Sequence, residues 1–136
     1  RLSPALEREV ARLGVGDAVR FLGYIPDESL AALLSGATAL VFPSLFEGFG
    51  LPPLEAMACG TPVISTDAPA MSEVLAGTAT LVPVRDPGAI AAEALRLLGD
   101  PDLRAERSAR GIEFASRFSW QRTAEETIDV YREVAP

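Results

Sequence analysis

Two glutamates flank a glycine-containing turn near the middle of the sequence. Glu47 and Glu55 are separated by seven residues, and Gly48 and Gly50 lie between them. An ionised carboxylate accepts several hydrogen bonds, which suits the vicinal hydroxyl pairs of a sugar or a ribose. Glycine permits positive φ and lets a backbone approach a ligand closely. The spacing therefore predicts one carboxylate on each side of a bound phosphate.

The residues after this turn predict the start of a helix. Pro52 and Pro53 fit the preference of proline for the first helical positions. The backbone amides of Phe49, Gly50 and Leu51 then project from a helix N-terminus, where the helix dipole favours an anion. A phosphate group or the oxygens of a sugar would suit this end of the helix.

Each of these features also has a simple structural explanation. An acidic residue such as Glu55, early in a helix, stabilises the helix dipole by about 0.3–1 kcal/mol without binding anything. Gly48 and Gly50 could serve only to form a turn. The combination of both carboxylates, both glycines and the prolines is more specific for a ligand site than any one part.

Short apolar runs alternate with helical segments around the turn. The strands are predicted at 18–22, 39–42, 62–65 and 80–84, and the helices at 4–13, 27–36, 52–59, 72–75, 87–98, 101–118 and 119–134. Such alternation indicates an α/β fold with a Rossmann-like parallel sheet of about four strands and flanking helices. In open sheets of this kind, ligands bind at the carboxyl ends of the strands, and the glutamate-containing loop follows strand 39–42.

Three residues are predicted to begin helices. Asp27, Asp100 and Ser119 each precede a run with helical spacing and carry side chains suited to an N-cap.

The composition narrows the classes of function. The 136 residues fit one domain, and the net charge of −7 argues against nucleic acid or an anionic membrane as the main partner. The sequence contains no histidine, and all twelve of its basic residues are arginine, which excludes a histidine base, a histidine metal site and a lysine Schiff base within this segment. The single Cys59 rules out an intrachain disulfide, favours the reducing cytoplasm and is expected to be a small buried apolar residue.

The segment FPSLFEGFGLPPLEAMACGTPV, residues 42–63, strongly resembles the E-x7-E signature of a large family of retaining glycosyltransferases. That family has the two-domain GT-B fold and is known as glycosyltransferase family 4 or group 1. The stretches VRFLGY, SEV and RFSW, and the DP pair at 86–87, fall in the order and spacing of the family. The resemblance covers essentially the whole chain.

The resemblance implies roles for individual residues. Glu47 resembles the glutamate that contacts the donor sugar near the reacting carbon, and Glu55 the glutamate that binds the ribose hydroxyls. The donor sugar and phosphates would be held at Gly48, Phe49, Gly50 and Leu51.

A second group of residues resembles the loop that borders the nucleotide base. This group comprises Tyr24, Ile25 and Asp27, just after Gly23. Ordinary loop packing would explain Tyr24 and Ile25 equally well, and helix capping would explain Asp27. Trp120 is expected to be a packing anchor at the start of the last helix; the alternative implied by the resemblance is an exposed Trp120, because this helix region often returns toward the other domain in the family. Glu73 matches a glutamate common in the family and could be structural or near the donor, and a structural role is favoured.

The resemblance implies transfer of a sugar from a nucleotide-diphosphate donor to an acceptor hydroxyl, with retention of anomeric configuration. The reaction is expected to belong to polysaccharide or glycolipid synthesis. The expected donor is GDP-mannose or a UDP-sugar, and neither a metal nor another cofactor is expected. The alternatives are a nucleotide-sugar-binding module without catalysis and a GT-B-shaped epimerase.

Residues 1–136 match only part of the family's C-terminal, nucleotide-binding domain. The first strands, an Arg–Lys pair that clamps the diphosphate, and the N-terminal domain that binds the acceptor glycan or glycolipid are not matched. We therefore expect these residues alone to be inactive and poorly stable. The protein is expected in the cytoplasm. This location is compatible with peripheral association of the full-length protein with the membrane surface.

Overall fold

A computed structural model describes residues 3–75 and 77–135. The chain divides into two compact units, with the boundary between Leu30 and Ala31. The first unit contains helix α1 (Pro4–Leu13), a short 3-10 turn (Gly16–Ala18) and the start of helix α2 (Asp27–Ser35). The predicted bounds of α1 are confirmed, and its C-cap Gly14 has the left-handed conformation that commonly ends helices.

The prediction of a strand at 18–22 is wrong. The backbone of Val19 is extended, with φ −111° and ψ 124°, but the sheet described for the chain contains only three strands, all of them later in the sequence. Phe21 and Leu22 are 41% and 56% exposed. Residues with high β-propensity form a strand only where a neighbouring strand accepts their backbone hydrogen bonds and covers their side chains. Among the described residues, this segment has no such neighbour.

The sheet lies in the second unit and is parallel, as predicted. Its strands are β1 (Leu40–Phe42), β2 (Val63–Thr66) and β3 (Thr80–Val82), in the order β1-β2-β3. Leu40 pairs with Val63, and Ile64 pairs with Thr80. All four residues of β2 are buried, because this strand has a neighbour on each side and helices over both faces.

Five helices complete the second unit. They are α3 (Leu51–Ala58), α4 (Pro69–Leu75), α5 (Pro87–Gly99), α6 (Pro101–Ala115) and α7 (Trp120–Val134). The predicted N-caps of the last two are confirmed: the Asp100 carboxylate accepts a hydrogen bond from the Leu103 amide at 2.9 Å, and the Ser119 hydroxyl accepts one from the Arg122 amide at 3.1 Å. Asp27, in contrast, is the first residue of α2 rather than the residue before it.

Alternating residues of β2 point into two apolar clusters. Val63 packs with buried residues of α3 and α4, among them Met57 and Met71, and Ile64 packs with Val82 and Leu97 of α5. Successive side chains of a strand point to opposite faces, so the two clusters cover the two faces of the sheet. This packing fixes the carboxyl end of β2 next to the loop that leaves β1.

Helices α3 and α6 pack closely at Gly111. A Cβ atom at this buried glycine would lie 3.3 Å from Cγ and 3.5 Å from Cα of Met57, which is itself 1% exposed. We expect Gly111→Leu to lower the free energy of unfolding by about 1–3 kcal/mol, because a larger side chain forces the two helices apart. Denaturant titration would measure the loss.

Gly99 offers a matched control for this substitution. A Cβ atom at Gly99 would meet no atom within 4 Å, and the residue lies at the exposed end of α5. Gly99→Leu should therefore change the stability by less than about 0.5 kcal/mol. Equal losses for the two variants would contradict close packing at Gly111.

Candidate functional site

Hydrogen bonds from the end of β2 hold the loop that follows β1. The Thr66 hydroxyl at the end of β2 donates a hydrogen bond to the Ser44 carbonyl, and the Ser65 hydroxyl donates one to the Phe42 carbonyl at 3.3 Å. Thr66 and Ser65 are each 1% exposed. Two buried hydroxyls thus fix the backbone of the chain where it leaves the sheet.

Glu47 is held within this loop by a side-chain hydrogen bond. The Ser44 hydroxyl lies 2.9 Å from Glu47 Oε1 and 3.0 Å from the Phe46 carbonyl oxygen. Glu47 is half-buried, whereas the neighbouring Phe46 is 85% exposed. The carboxylate is therefore restrained at one oxygen and has its second oxygen available for another donor.

Gly50 connects the loop to α3 in a conformation that suits glycine. Its φ is 91° and its ψ is 57°, and the residue is buried. A Cβ atom here would lie 2.5 Å from Cε of Met71, a residue with no exposed surface. The absence of a side chain thus allows both the turn and the packing of α4 beneath it.

Four consecutive backbone amides are available at the start of α3. Among the described residues, the amides of Gly48, Phe49, Gly50 and Leu51 donate to no carbonyl or side chain. The next two residues are prolines and have no amide hydrogen, so the donors of this helix end are concentrated in the turn itself. Unpaired amides at the positive end of a helix dipole can bind phosphate or sugar oxygens.

Glu55 lies farther into the helix than a dipole-stabilising residue would. It is the fifth residue of α3, and the first turn of this helix contains no acidic residue. The effect of the dipole is confined to the terminal turn, so it does not explain a glutamate at this position. The carboxylate is exposed and forms no ion pair with any described residue.

The exposed face of α3 opens onto a cavity of about 590 Å³. This size falls within the range of roughly 300–1,000 Å³ typical of small-molecule sites. The lining residues come from the turn, α3, the end of α6 and the start of α7: Phe49, Leu51, Leu54, Glu55, Ala58, Ala115, Phe118, Ser119, Trp120 and Thr123. Three of the residues predicted to bind the donor therefore line one cavity: Phe49, Leu51 and Glu55.

The aromatic wall of this cavity was not predicted from the sequence. Phe49 and Phe118 meet edge to face, with ring centroids 6.0 Å apart, and Trp120 is 77% exposed. The packing-anchor interpretation of Trp120 is therefore wrong for the described residues, and the residue is exposed as in the alternative interpretation. The cluster of aromatic residues in RFSW, directly before the Ser119 cap of α7, was the signal that could have indicated an exposed aromatic surface.

The residues predicted to border the nucleotide base lie in a different unit from the two glutamates. Tyr24 is 85% exposed, Ile25 is half-buried, and Asp27 begins α2. All three belong to the unit that ends at Leu30, whereas Glu47 and Glu55 belong to the unit that begins at Ala31.

Other polar residues near the carboxyl edge have structural roles. Asp67 accepts a hydrogen bond from the Val84 amide at its side chain, and one from the Ser72 hydroxyl at its carbonyl, both at 3.0 Å. Cys59 ends α3 and is half-buried rather than buried as predicted.

In the described part of the chain, no group of three acidic, histidine or cysteine residues could hold a metal ion. No helix within 3–75 or 77–135 combines the length and the apolarity needed to cross a bilayer.

A parallel sheet flanked by helices, with a glycine-containing turn at its carboxyl edge, defines a Rossmann-like class of domain. The family described as "Glycosyl transferases group 1" matches residues 4–114. The chain therefore belongs to the group 1 family of glycosyltransferases.

Individual relatives agree with this assignment. The chain is 41% identical, over 84% of its length, to O-antigen chain mannosyltransferase B of Escherichia coli. It is 40% identical, over 92% of its length, to MMP alpha-(1->4)-mannosyltransferase of Mycolicibacterium hassiacum. It covers 30% and 31% of these two proteins, respectively.

The fold also matches solved structures. Sucrose-phosphate synthase from Thermosynechococcus elongatus superimposes with a TM-score of 0.88 at 36% identity, covering 95% of this chain and 33% of that one. The C-terminal domain of a group 1 glycosyltransferase from Francisella tularensis superimposes with a TM-score of 0.74 at 30% identity, covering 83% of this chain and 60% of that one. The GT-B, Rossmann-like architecture implied by the sequence is thus confirmed, with three strands in place of four.

Proposed function

We propose that the full-length protein transfers a sugar from a nucleotide-diphosphate donor to an acceptor hydroxyl, with retention of configuration at the anomeric carbon. One observation carries this proposal: the four amides from Gly48 to Leu51, which have no acceptor among the described residues, lie between two glutamates at the start of a helix. Amides of this kind suit the oxygens of a diphosphate and a sugar, and flanking carboxylates suit hydroxyl groups. Membership of the group 1 family supports the reaction class.

The proposed mechanism depends on electrostatic stabilisation of the leaving group. Cleavage of the bond from sugar to phosphate moves negative charge onto the diphosphate, and the amides at the start of α3 stabilise that charge. These donors are fixed before the reaction because Gly50 and the two prolines hold the turn. We propose that a phosphate oxygen helps to remove the acceptor proton on the same face of the sugar.

Glu47 is proposed to act at the sugar rather than at the phosphates. Glycosyl transfer passes through a transition state with positive charge on the ring oxygen and the anomeric carbon. A half-buried carboxylate, restrained by Ser44 at 2.9 Å, can stabilise this charge and position the sugar hydroxyls.

Glu55 is proposed to bind the ribose of the donor. We expect Glu55→Ala to weaken the binding of UDP or GDP by roughly 10- to 100-fold, since a hydrogen bond to a charged group contributes about 1.5–3 kcal/mol. Calorimetric titration of the full-length protein would measure the change. Glu73→Ala is the control, because Glu73 is also an exposed helical glutamate, on α4, and should leave the affinity unchanged. Equal affinities for Glu55→Ala and the unaltered protein would exclude the ribose contact.

The donor and the remaining partners follow from the relatives and from the residues that flank the site. GDP-mannose is proposed as the donor, with a UDP-sugar as the alternative: two similar proteins are named as mannosyltransferases, whereas six others are named as D-inositol 3-phosphate glycosyltransferases. Tyr24, Ile25 and Asp27 are proposed to contact the nucleotide base. We propose that neither a metal nor another cofactor takes part in catalysis.

The acceptor is proposed to be a glycan or glycolipid bound outside these residues. The chain spans about a third or less of the length of the relatives it matches. Residues 1–136 are thus proposed to supply part of a nucleotide-sugar-binding domain of a protein that acts in the cytoplasm or at its membrane surface, in polysaccharide or glycolipid synthesis.

Product analysis tests the proposed reaction. The full-length protein would be incubated with GDP-mannose or a UDP-sugar and a panel of glycan acceptors, and the anomeric configuration of the product would be determined by proton NMR. The same configuration as in the donor supports the proposal. Inversion would contradict retention. Nucleotide-sugar binding without transfer would favour a binding module without catalysis.

A further inference from the structure

We propose that Ser44 is a positioning residue for Glu47, anchored in turn by Thr66. This inference rests on the proposed function, because it assigns Ser44 a role through the carboxylate that is proposed to act at the sugar. Two successive hydrogen bonds connect three residues: Thr66 at the end of β2, Ser44 after β1 and Glu47 at the turn.

Thr66, which anchors this series of contacts, is held rigidly. Thr66 is 1% exposed and belongs to the central strand, and its hydroxyl donates to the Ser44 carbonyl across 22 residues of sequence. A buried side chain in a fully covered strand has little freedom to change rotamer. The backbone of Ser44 is therefore held in place by the sheet rather than by the loop alone.

The second contact directs the carboxylate. The Ser44 hydroxyl has one hydrogen and two acceptors within reach, Glu47 Oε1 at 2.9 Å and the Phe46 carbonyl at 3.0 Å. An ionised carboxylate is the stronger acceptor, so the hydrogen is shared in favour of Glu47. Oε1 is thereby restrained, and Oε2 is left to face the donor sugar. Without this restraint, the half-buried Glu47 would sample several rotamers, of which only one is productive.

Substitutions at Ser44 separate positioning from a purely structural role. Ser44→Ala removes the hydroxyl, and Ser44→Thr retains it. In the full-length protein, with GDP-mannose or UDP-glucose as donor, we expect Ser44→Ala to lower kcat by roughly 10-fold or more and Ser44→Thr to remain within about threefold of the unaltered protein. The affinity for GDP or UDP, measured by calorimetry, should be unchanged in both. Ser35→Ala, which removes an exposed hydroxyl at the end of α2 that donates to the Ala31 carbonyl, is the control and should have no effect on kcat.

Combining the variants tests whether Ser44 acts through Glu47. If it does, Ser44→Ala should cost much less in a Glu47→Gln background, because the carboxylate is already absent. Additive losses, or equal losses for Ser44→Ala and Ser44→Thr, would overturn the assignment while leaving the proposed function intact. An unaltered protein that transfers neither sugar would overturn the proposed function and this assignment together. Full activity of Glu47→Gln would overturn the roles of Glu47 and Ser44 while leaving sugar transfer intact.

Discussion

Glu47→Gln is expected to lower kcat for sugar transfer by about 10²–10³-fold, the range found when one preorganised electrostatic group is removed from an active site. Glutamine has nearly the shape of glutamate but no charge. It can still accept a hydrogen bond from the Ser44 hydroxyl, which lies 2.9 Å from Oε1 in the unaltered loop. The loss should therefore report the missing charge, proposed to lie next to the reacting carbon, rather than a collapsed loop. Steady-state kinetics of the full-length protein would measure it.

Two comparisons make this prediction specific. The affinity for GDP or UDP should change by less than about threefold, because Glu47 is proposed to contact the sugar and not the nucleotide. Glu73→Gln, on the exposed face of α4, should leave kcat unchanged. If Glu47→Gln retained full kcat, the assignment of Glu47 to the reaction would be wrong.

Gly50→Ala is expected to have the second large effect, on both stability and binding. A side chain at φ 91° costs about 1–2 kcal/mol. Overlap of the new Cβ with Met71 Cε, at 2.5 Å, adds about 1–3 kcal/mol, because Met71 is fully buried and cannot move aside freely. Relief of this overlap would shift the turn, so the affinity for GDP or UDP should fall as well. Denaturant unfolding and calorimetric titration would measure the two losses.

Substitutions at two other glycines separate the conformational cost of Gly50→Ala from the cost of its overlap with Met71. Gly48→Ala should change stability by less than about 0.5 kcal/mol, because its φ is not positive and its Cβ would meet no atom within 4 Å. Gly14→Ala, at φ 66° with open space around the Cβ, should show the conformational cost alone. A Gly50→Ala variant no less stable than Gly14→Ala would show that the contact with Met71 is unimportant.

Features determined by local sequence could be predicted well. Asp100 and Ser119 cap their helices as expected, because an N-cap depends on a hydrogen bond to a residue only three positions away. The prolines after Gly50 marked the start of α3 correctly. The predicted α6, however, extended to Phe118, whereas the helix ends at Ala115.

Features that depend on distant partners could not be predicted. Residues 18–22 have the composition of a strand, but strand formation requires a neighbour that no local pattern reveals. The sequence likewise left open whether Trp120 is buried or exposed, because that depends on which surfaces pack against α7. The contact from Thr66 to Ser44 joins residues far apart in sequence, and neither residue type suggests the other.

The candidate site was predictable only in part. The loop from Glu47 to Gly50 and the helix that contains Glu55 were located from residue types and spacing, and the structure places them at the carboxyl edge of the sheet. The aromatic wall formed by Phe118 and Trp120 was missed, because it arises where α6 and α7 meet next to α3.

Hydrogen exchange at the turn tests the central claim most directly, namely that the start of α3 binds a nucleotide-diphosphate donor. The amides of Gly48, Phe49, Gly50 and Leu51 have no acceptor among the described residues, so they should exchange rapidly in the full-length protein without a nucleotide. Saturating GDP or UDP, whichever binds, is predicted to slow exchange at these four amides. Tight nucleotide binding with unchanged exchange at residues 48–51 and protection elsewhere would contradict the account.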